Sequence, residues 1–205
     1  MKPAAPEETT GTNVIFLENY AARPCSYLHF SPDGRWVMTG NHGGTNLNVY
    51  DASNGRHVTD LPSGQGYGLF QTHGNLVVGK SSRDYGLWRS GTWALARRVP
   101  WGEAGLGSSV VGISPDDRYL LLTDHNGHLR FRDLEHDRDF VTFTCPATWP
   151  WGGRFDASGT RIVGTSSLSQ LAVWNLAELR RELARLGLDW PDERPGNGFV
   201  GEKSR

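Results

Sequence analysis

The strongest constraint on this chain is a strand-turn-strand unit that recurs four times, at a spacing of about 41 or 42 residues. Its first copy is Tyr27–Asp51, YLHFSPDGRWVMTGNHGGTNLNVYD. Two short apolar runs, Tyr27–Phe30 and Trp36–Thr39, flank a Ser-Pro-Asp-Gly turn, and a polar, Gly-rich loop leads to a third run ending in Val49-Tyr50-Asp51. The four turns are Ser31–Gly34, Thr72–Asn75, Ser114–Asp117 and Asp156–Gly159. A large apolar residue precedes each of them: Phe30, Phe70, Ile113 and Phe155. Pro presets φ at the second turn position, while Asp and Gly suit the later ones. The runs Leu76-Val77-Val78 and Leu120-Leu121-Leu122 are continuous rather than alternating, as expected of strands covered on both faces.

Such a chain needs many tight turns and bulky core residues. Its 205 residues include 26 Gly and 11 Pro, together with 8 Trp, 8 Phe and 6 Tyr. Candidate outer strands are Val14–Leu17, His57–Leu61, Ala94–Arg98 and Phe140–Phe143. In this phase the fourth unit lacks an outer strand after it, and Val14–Leu17 is an outer strand without a blade. Pairing the two would close a ring and remove exposed strand edges. Residues 1–12, rich in Pro, Glu and Thr, are expected to be a disordered tail.

The third strands end in Tyr50-Asp51, Trp88-Arg89, Arg132-Asp133 and Trp174-Asn175. With the turns and the spacing, these pairs resemble the WD-repeat family of β-propellers over residues 14–175. Each pair keeps only part of the family's Trp-Asp, and the Gly-His that precedes its first inner strand is missing from all four copies. The resemblance implies an all-β, four-blade propeller over residues 13–175, with repeats at about 13–51, 57–89, 94–133 and 140–175. The four blades either close on themselves or form the C-terminal part of a larger ring, in which case self-association is expected. The use the resemblance implies is a non-catalytic scaffold that binds another protein.

After Asn175 the period changes. Leu176, Leu179, Leu183 and Leu186 recur at helical spacing, Asn175 can cap the helix with Glu178 at the capping-box position, and Gly187 can stop it. Residues 176–190 are therefore expected to form an amphipathic helix and cap, packed on the propeller with Arg180, Arg181 and Arg185 toward solvent, followed by a disordered tail over 191–205. The order LAVWNLAELRRELARLGLDWP is similar to the C-terminus of bacterial, planctomycete-type WD-repeat proteins fused to serine/threonine kinases. That resemblance implies a second reading, a detached sensory or regulatory part of a signalling kinase. The kinase motifs themselves, a Gly-rich loop, VAIK, HRD and DFG, are absent from the sequence.

The net charge of -1 gives no electrostatic reason to expect nucleic acid or a membrane surface as partner. There is no secretory signal pattern and no long apolar run, so a cytoplasmic location is expected. Cys25 and Cys145 read as free thiols. His125-Asn-Gly-His128 reads as a hairpin turn rather than a metal site, and Asp133–Asp139 as a solvated hairpin connection rather than a calcium loop. No nucleophile elbow or triad pattern occurs, so no enzyme activity, metal or cofactor is expected. Loops before the first inner strand, and between the second and third strands, share one end of a propeller. Tyr20, His42, Arg83, Trp101 and Trp149 fall in them and are candidate protein-binding residues, of types enriched at interface hot spots.

Overall fold

A computed structural model describes residues 14–18, 25–41, 44–64, 66–73, 75–81, 84–100, 109–123, 128–144, 150–166 and 171–189. The strands of blade one are β1 (Tyr27–Phe30), β2 (Trp36–Gly40), β3 (Asn46–Asp51) and β4 (His57–Pro62). Those of blade two are β5 (Gly68–Phe70), β6 (Leu76–Lys80), β7 (Asp84–Arg89) and β8 (Leu95–Pro100). Blade three comprises β9 (Ser109–Ile113), β10 (Tyr119–Thr123), β11 (His128–Asp133) and β12 (Arg138–Thr144). Blade four has three strands, β13 (Pro150–Phe155), β14 (Arg161–Ser166) and β15 (Leu171–Asn175), and helix α1 (Leu176–Arg185) follows directly. Each sheet is antiparallel with its strands in sequence order, and together they form a four-blade β-propeller ring.

The turn chemistry read from the sequence is what holds the first hairpins. Ser31 Oγ donates to Asp33 and accepts the Trp36 N–H at 2.9 Å, while Gly34 takes φ +70°. Ser114 repeats this with Asp116 and Tyr119, and Asp156 Oδ1 accepts the Arg161 N–H at 3.0 Å. The last residue of the third strands has a similar use. Asp51 accepts the Ser53 N–H, Asp133 the Glu135 N–H, and Asn175 the Glu178 N–H. An Asp or Asn at this position thus ties the strand to whatever follows, as Asx side chains do at turns and helix starts.

The core lies in the seams between blades, and the same register positions fill each seam. Met38, Leu47 and Val49 face forward from blade one onto Val77 and Trp88. Val78, Tyr85 and Leu87 face forward from blade two onto Leu120 and Leu134. Leu121, Leu129 and Phe131 face forward from blade three onto Ile162 and Leu176. Each fully buried aliphatic or aromatic side chain contributes about 1.5–3 kcal/mol, so these clusters dominate the stability of the fold. Gly79 is needed at the first seam: a Cβ there would lie 2.8 Å from Leu47 Cδ1 and 3.0 Å from the Trp88 ring.

Two expectations are corrected. Val14–Leu17 is not a strand; it runs irregularly beside the β3–β4 turn, where the Glu18 N–H bonds Gly55 O at 2.8 Å and the Glu18 carboxylate accepts the His57 N–H. A side-chain anchor at blade one thus outcompetes pairing with blade four. Helix α1 is capped as read, by Asn175 at its start and by Gly187 at φ +71° beyond its end. There the Gly187 and Leu188 N–H groups close back on Ala184 O and Leu183 O. However, only Leu176 is buried, Leu179 and Leu183 are half-buried, and Leu186 and Leu188 are exposed. Arg180 turns away from open solvent to pair with Asp189 at 3.1 Å.

Candidate functional site

Tyr20, His42, Arg83, Trp101 and Trp149 lie outside the described residues, as do Cys145 and His125. At the end of the propeller where the first strand of each blade begins, the structure describes the strand ends and parts of their connections. That end is best defined at the junction of blades one and two.

Here Tyr27, at the start of β1, meets Tyr67, just before β5, with ring centroids 4.6 Å apart and planes at 64°. The Tyr27 hydroxyl donates to Gly66 O. Burial, and secondarily the proximity of Tyr67 and Cys25, raises the Tyr27 pKa well above the usual tyrosine range, so the phenol stays protonated and keeps donating. Cys25 is a free thiol whose Sγ lies 3.0 Å from Tyr27 O. The Ser26 hydroxyl donates to Asn41 Oδ1 at 3.2 Å.

Lys80 closes β6 beneath this rim and is 2 % exposed. Its backbone is pinned from both sides: its N–H donates to Tyr67 O, and its carbonyl accepts the Ser63 hydroxyl at 2.7 Å. Burial pushes its ammonium pKa down to about 8. Next to it, Ser81 bonds Asp84, whose carboxylate takes both oxygens to Arg98 Nη1 at 3.0 and 3.1 Å. Arg98 is exposed and adds a cationic, hydrogen-bonding group to the rim.

The arrangement offers aromatic edges, hydroxyls and one guanidinium on rigid strand ends, which suits recognition of a surface. Among the described residues no group of three or more His, Cys, Asp or Glu is placed to hold a metal ion. Neither Lys80 nor the Tyr27–Tyr67 pair was singled out by sequence reasoning. The only sequence signal for Lys80 was a charge at the end of an otherwise apolar strand.

The opposite end of blade three carries the hairpin connection Asp133–Asp139, whose ends are buried or half-buried. Asp133 is buried and pairs with Arg118 at 3.4 Å and with His136 at 3.0 Å. Burial works to raise its pKa, but the bonds from His136 and from the Glu135 and His136 N–H groups, with Arg118, outweigh it and hold the carboxyl below its usual value. Buried Arg132, in the position of Trp88 and Trp174, bonds Asp139 at 3.0 Å and Asp137 O at 2.6 Å. Arg97 of blade two bonds Leu134 O. Glu135–Arg138 are exposed, so the hairpin connection is solvated as expected, while its two ends, Asp133 and Asp139, are held by arginines. His128 opens β11, consistent with a hairpin ending there.

No family model matches the chain, and no curated protein matches it.

Proposed function

We propose that the chain is a protein-interaction scaffold of WD-repeat type, whose binding end carries Tyr20, His42, Arg83, Trp101 and Trp149. The observation that supports this reading is the junction of blades one and two at that end of the propeller, where Tyr27, Gly66, Tyr67, Ser63 and Lys80 are cross-linked between two blades. Rigid support reduces the ordering cost of binding, and Trp, Tyr and Arg are the side chains that dominate interface energetics. The scaffold needs no cofactor and no catalytic group, and its partner is a protein surface rather than a nucleic acid or membrane.

The finer reading is a sensory or regulatory part of a bacterial kinase signalling protein in the cytoplasm. It rests on the Trp-Asn, Leu-rich helix, Gly-Leu-Asp-Trp order, and on Leu186 and Leu188, which α1 leaves exposed.

Affinity capture followed by reconstitution with the purified partner tests the scaffold reading. Trp101→Ala combined with Trp149→Ala is expected to weaken binding by at least about tenfold, since hot-spot truncations cost about 2 kcal/mol or more. Unchanged affinity in a variant with an unchanged melting curve removes this binding face.

A further inference from the structure

Three seams of the propeller are joined by apolar clusters, and the fourth, between blades four and one, is joined by a polar contact. The inner strands pack in series, β1 on β5, β5 on β9 and β9 on β13, and the step from β13 back to β1 is the weakest of the four. Val163 and Val173 of blade four hold the register positions of Leu121 and Phe131 of blade three. The blade-three pair is buried against blade four, whereas Val163 is 40 % and Val173 65 % exposed. Among the described residues no buried apolar cluster spans this seam. Its closure therefore rests on few groups, and a change in one of them has little to overcome.

What bridges the seam is Arg154 Nη2, of β13, donating to His29 Nε2, of β1, at 3.2 Å. A guanidinium has donors only, so His29 Nε2 is the bare acceptor and the ring proton sits on Nδ1. The bond exists only while the imidazole is neutral. A second proton fills the acceptor site, removes the bond and sets an imidazolium against a guanidinium, which repel. Among the described residues neither side chain has a carboxylate partner to offset this. Of the elements packed on β1, β2 places Met38 opposite His29 and β5 brings only Gly68, Leu69 and Phe70. Tyr27, two residues earlier on the same face of β1, keeps its proton. Arg154 is thus the charged group that bears on His29.

We infer that the His29–Arg154 contact is an acid-sensitive latch of the ring: blades four and one stay closed while His29 is neutral, and part when its ring takes up a proton, while the other three seams hold. The three apolar seams contain the buried groups Leu47, Val77, Leu120, Leu122, Leu129 and Ile162, none of which titrates. In the closed ring burial, and secondarily Arg154, lowers the His29 pKa to about 4. Freed of both, the imidazole returns toward its ordinary value of about 6.5. Between these values the parted form holds the extra proton, so falling pH favours parting and rising pH restores closure.

Dipolar distance measurement between spin labels on the full chain tests this. One pair, Arg56→Cys with Ala157→Cys, spans blades one and four, and a second, Thr92→Cys with Glu135→Cys, spans blades two and three. All four positions are exposed, and Cys25→Ser with Cys145→Ser removes the native thiols. From pH 7 to pH 4 the first pair should gain a longer distance, its population relative to the closed one rising at least about tenfold and reverting at pH 7. The second pair should not change. His29→Gln supplies an amide oxygen that accepts from Arg154 and does not titrate, so it should stay closed at pH 4. Arg154→Met, at an exposed position, should show the longer distance already at pH 7 and respond less to acid. An unchanged first distance at pH 4 overturns the latch, as does an acid response in His29→Gln or Arg154→Met equal to that of the parent chain. Lengthening of both pairs together means general acid unfolding, which also overturns it.

Discussion

The carboxylate of Asp117, in the blade-three turn, accepts the backbone N–H of His73 at 2.6 Å, in the blade-two turn. Its other oxygen accepts the Thr72 N–H at 2.5 Å. Asp117 does this from φ +60°, where the equivalent turns of blades one and four carry Gly34 and Gly159. The turn tolerates a left-handed aspartate because the side chain joins two blades. Asp117→Ala should lose the bridge and keep the strain, destabilising the protein by about 1.5–3 kcal/mol. Asp117→Gly loses the bridge but relieves the backbone, and should be about 1 kcal/mol less damaging. Urea midpoints of the two variants make the comparison.

His29, on the inner strand of blade one, has its pKa lowered to about 4, chiefly by burial and then by the Arg154 guanidinium. The unfolded chain binds this proton below about pH 6.5 and the folded chain only near 4. In that window the unfolded state carries more protons, and stability falls as pH falls. His29→Gln should flatten the decline in thermal midpoint between pH 6.5 and 4. Arg154→Met should flatten it less, since burial is the larger cause.

Lys80 behaves in the same sense at alkaline pH. Its folded pKa of about 8 lies below the ordinary 10.5, so between these values the unfolded chain holds the extra proton and stability rises with pH. Lys80→Met should abolish that rise. A chemical-denaturation series from pH 7.5 to about 10.5 reads it directly. If wild type and variant rise alike, Lys80 titrates normally and the account of its burial is wrong.

Gly79 serves packing rather than backbone freedom. Gly79→Ala drives a methyl against Leu47 and Trp88, which belong to different blades. Overpacking of this kind costs about 1–3 kcal/mol. The thermal midpoint should fall, and Gly79→Ala combined with Leu47→Ala should cost less than the sum of the two single changes, because the smaller side chain makes room.

Much of the fold was legible because its determinants are local. The turns at Ser31 and Ser114 close through side chains within five residues of one another, so their sequence is their geometry. Continuous runs such as Leu120-Leu121-Leu122 announced strands covered on both faces, and they are fully buried. The candidate site was less legible. Lys80, Tyr27 and Tyr67 are brought together by strands of different blades, and nothing in the spacing of these residues records it. The buried Arg118–Asp133 pair was not legible either, because nothing in the acidic stretch marks the arginine that the fold brings to its first residue.

The sequence by itself determined four repeats, their turns, their strand order and the capped C-terminal helix, since each depends on residues close in the chain. Tertiary structure alone decided how the repeats meet. It anchored Glu18 at Gly55 and His57, keeping Val14–Leu17 out of blade four. It sealed three seams with apolar clusters and left Phe30, Leu171 and Val173 open at the fourth. Which surfaces come to face each other depends on the accumulated placement of whole blades, and no local residue pattern encodes that sum.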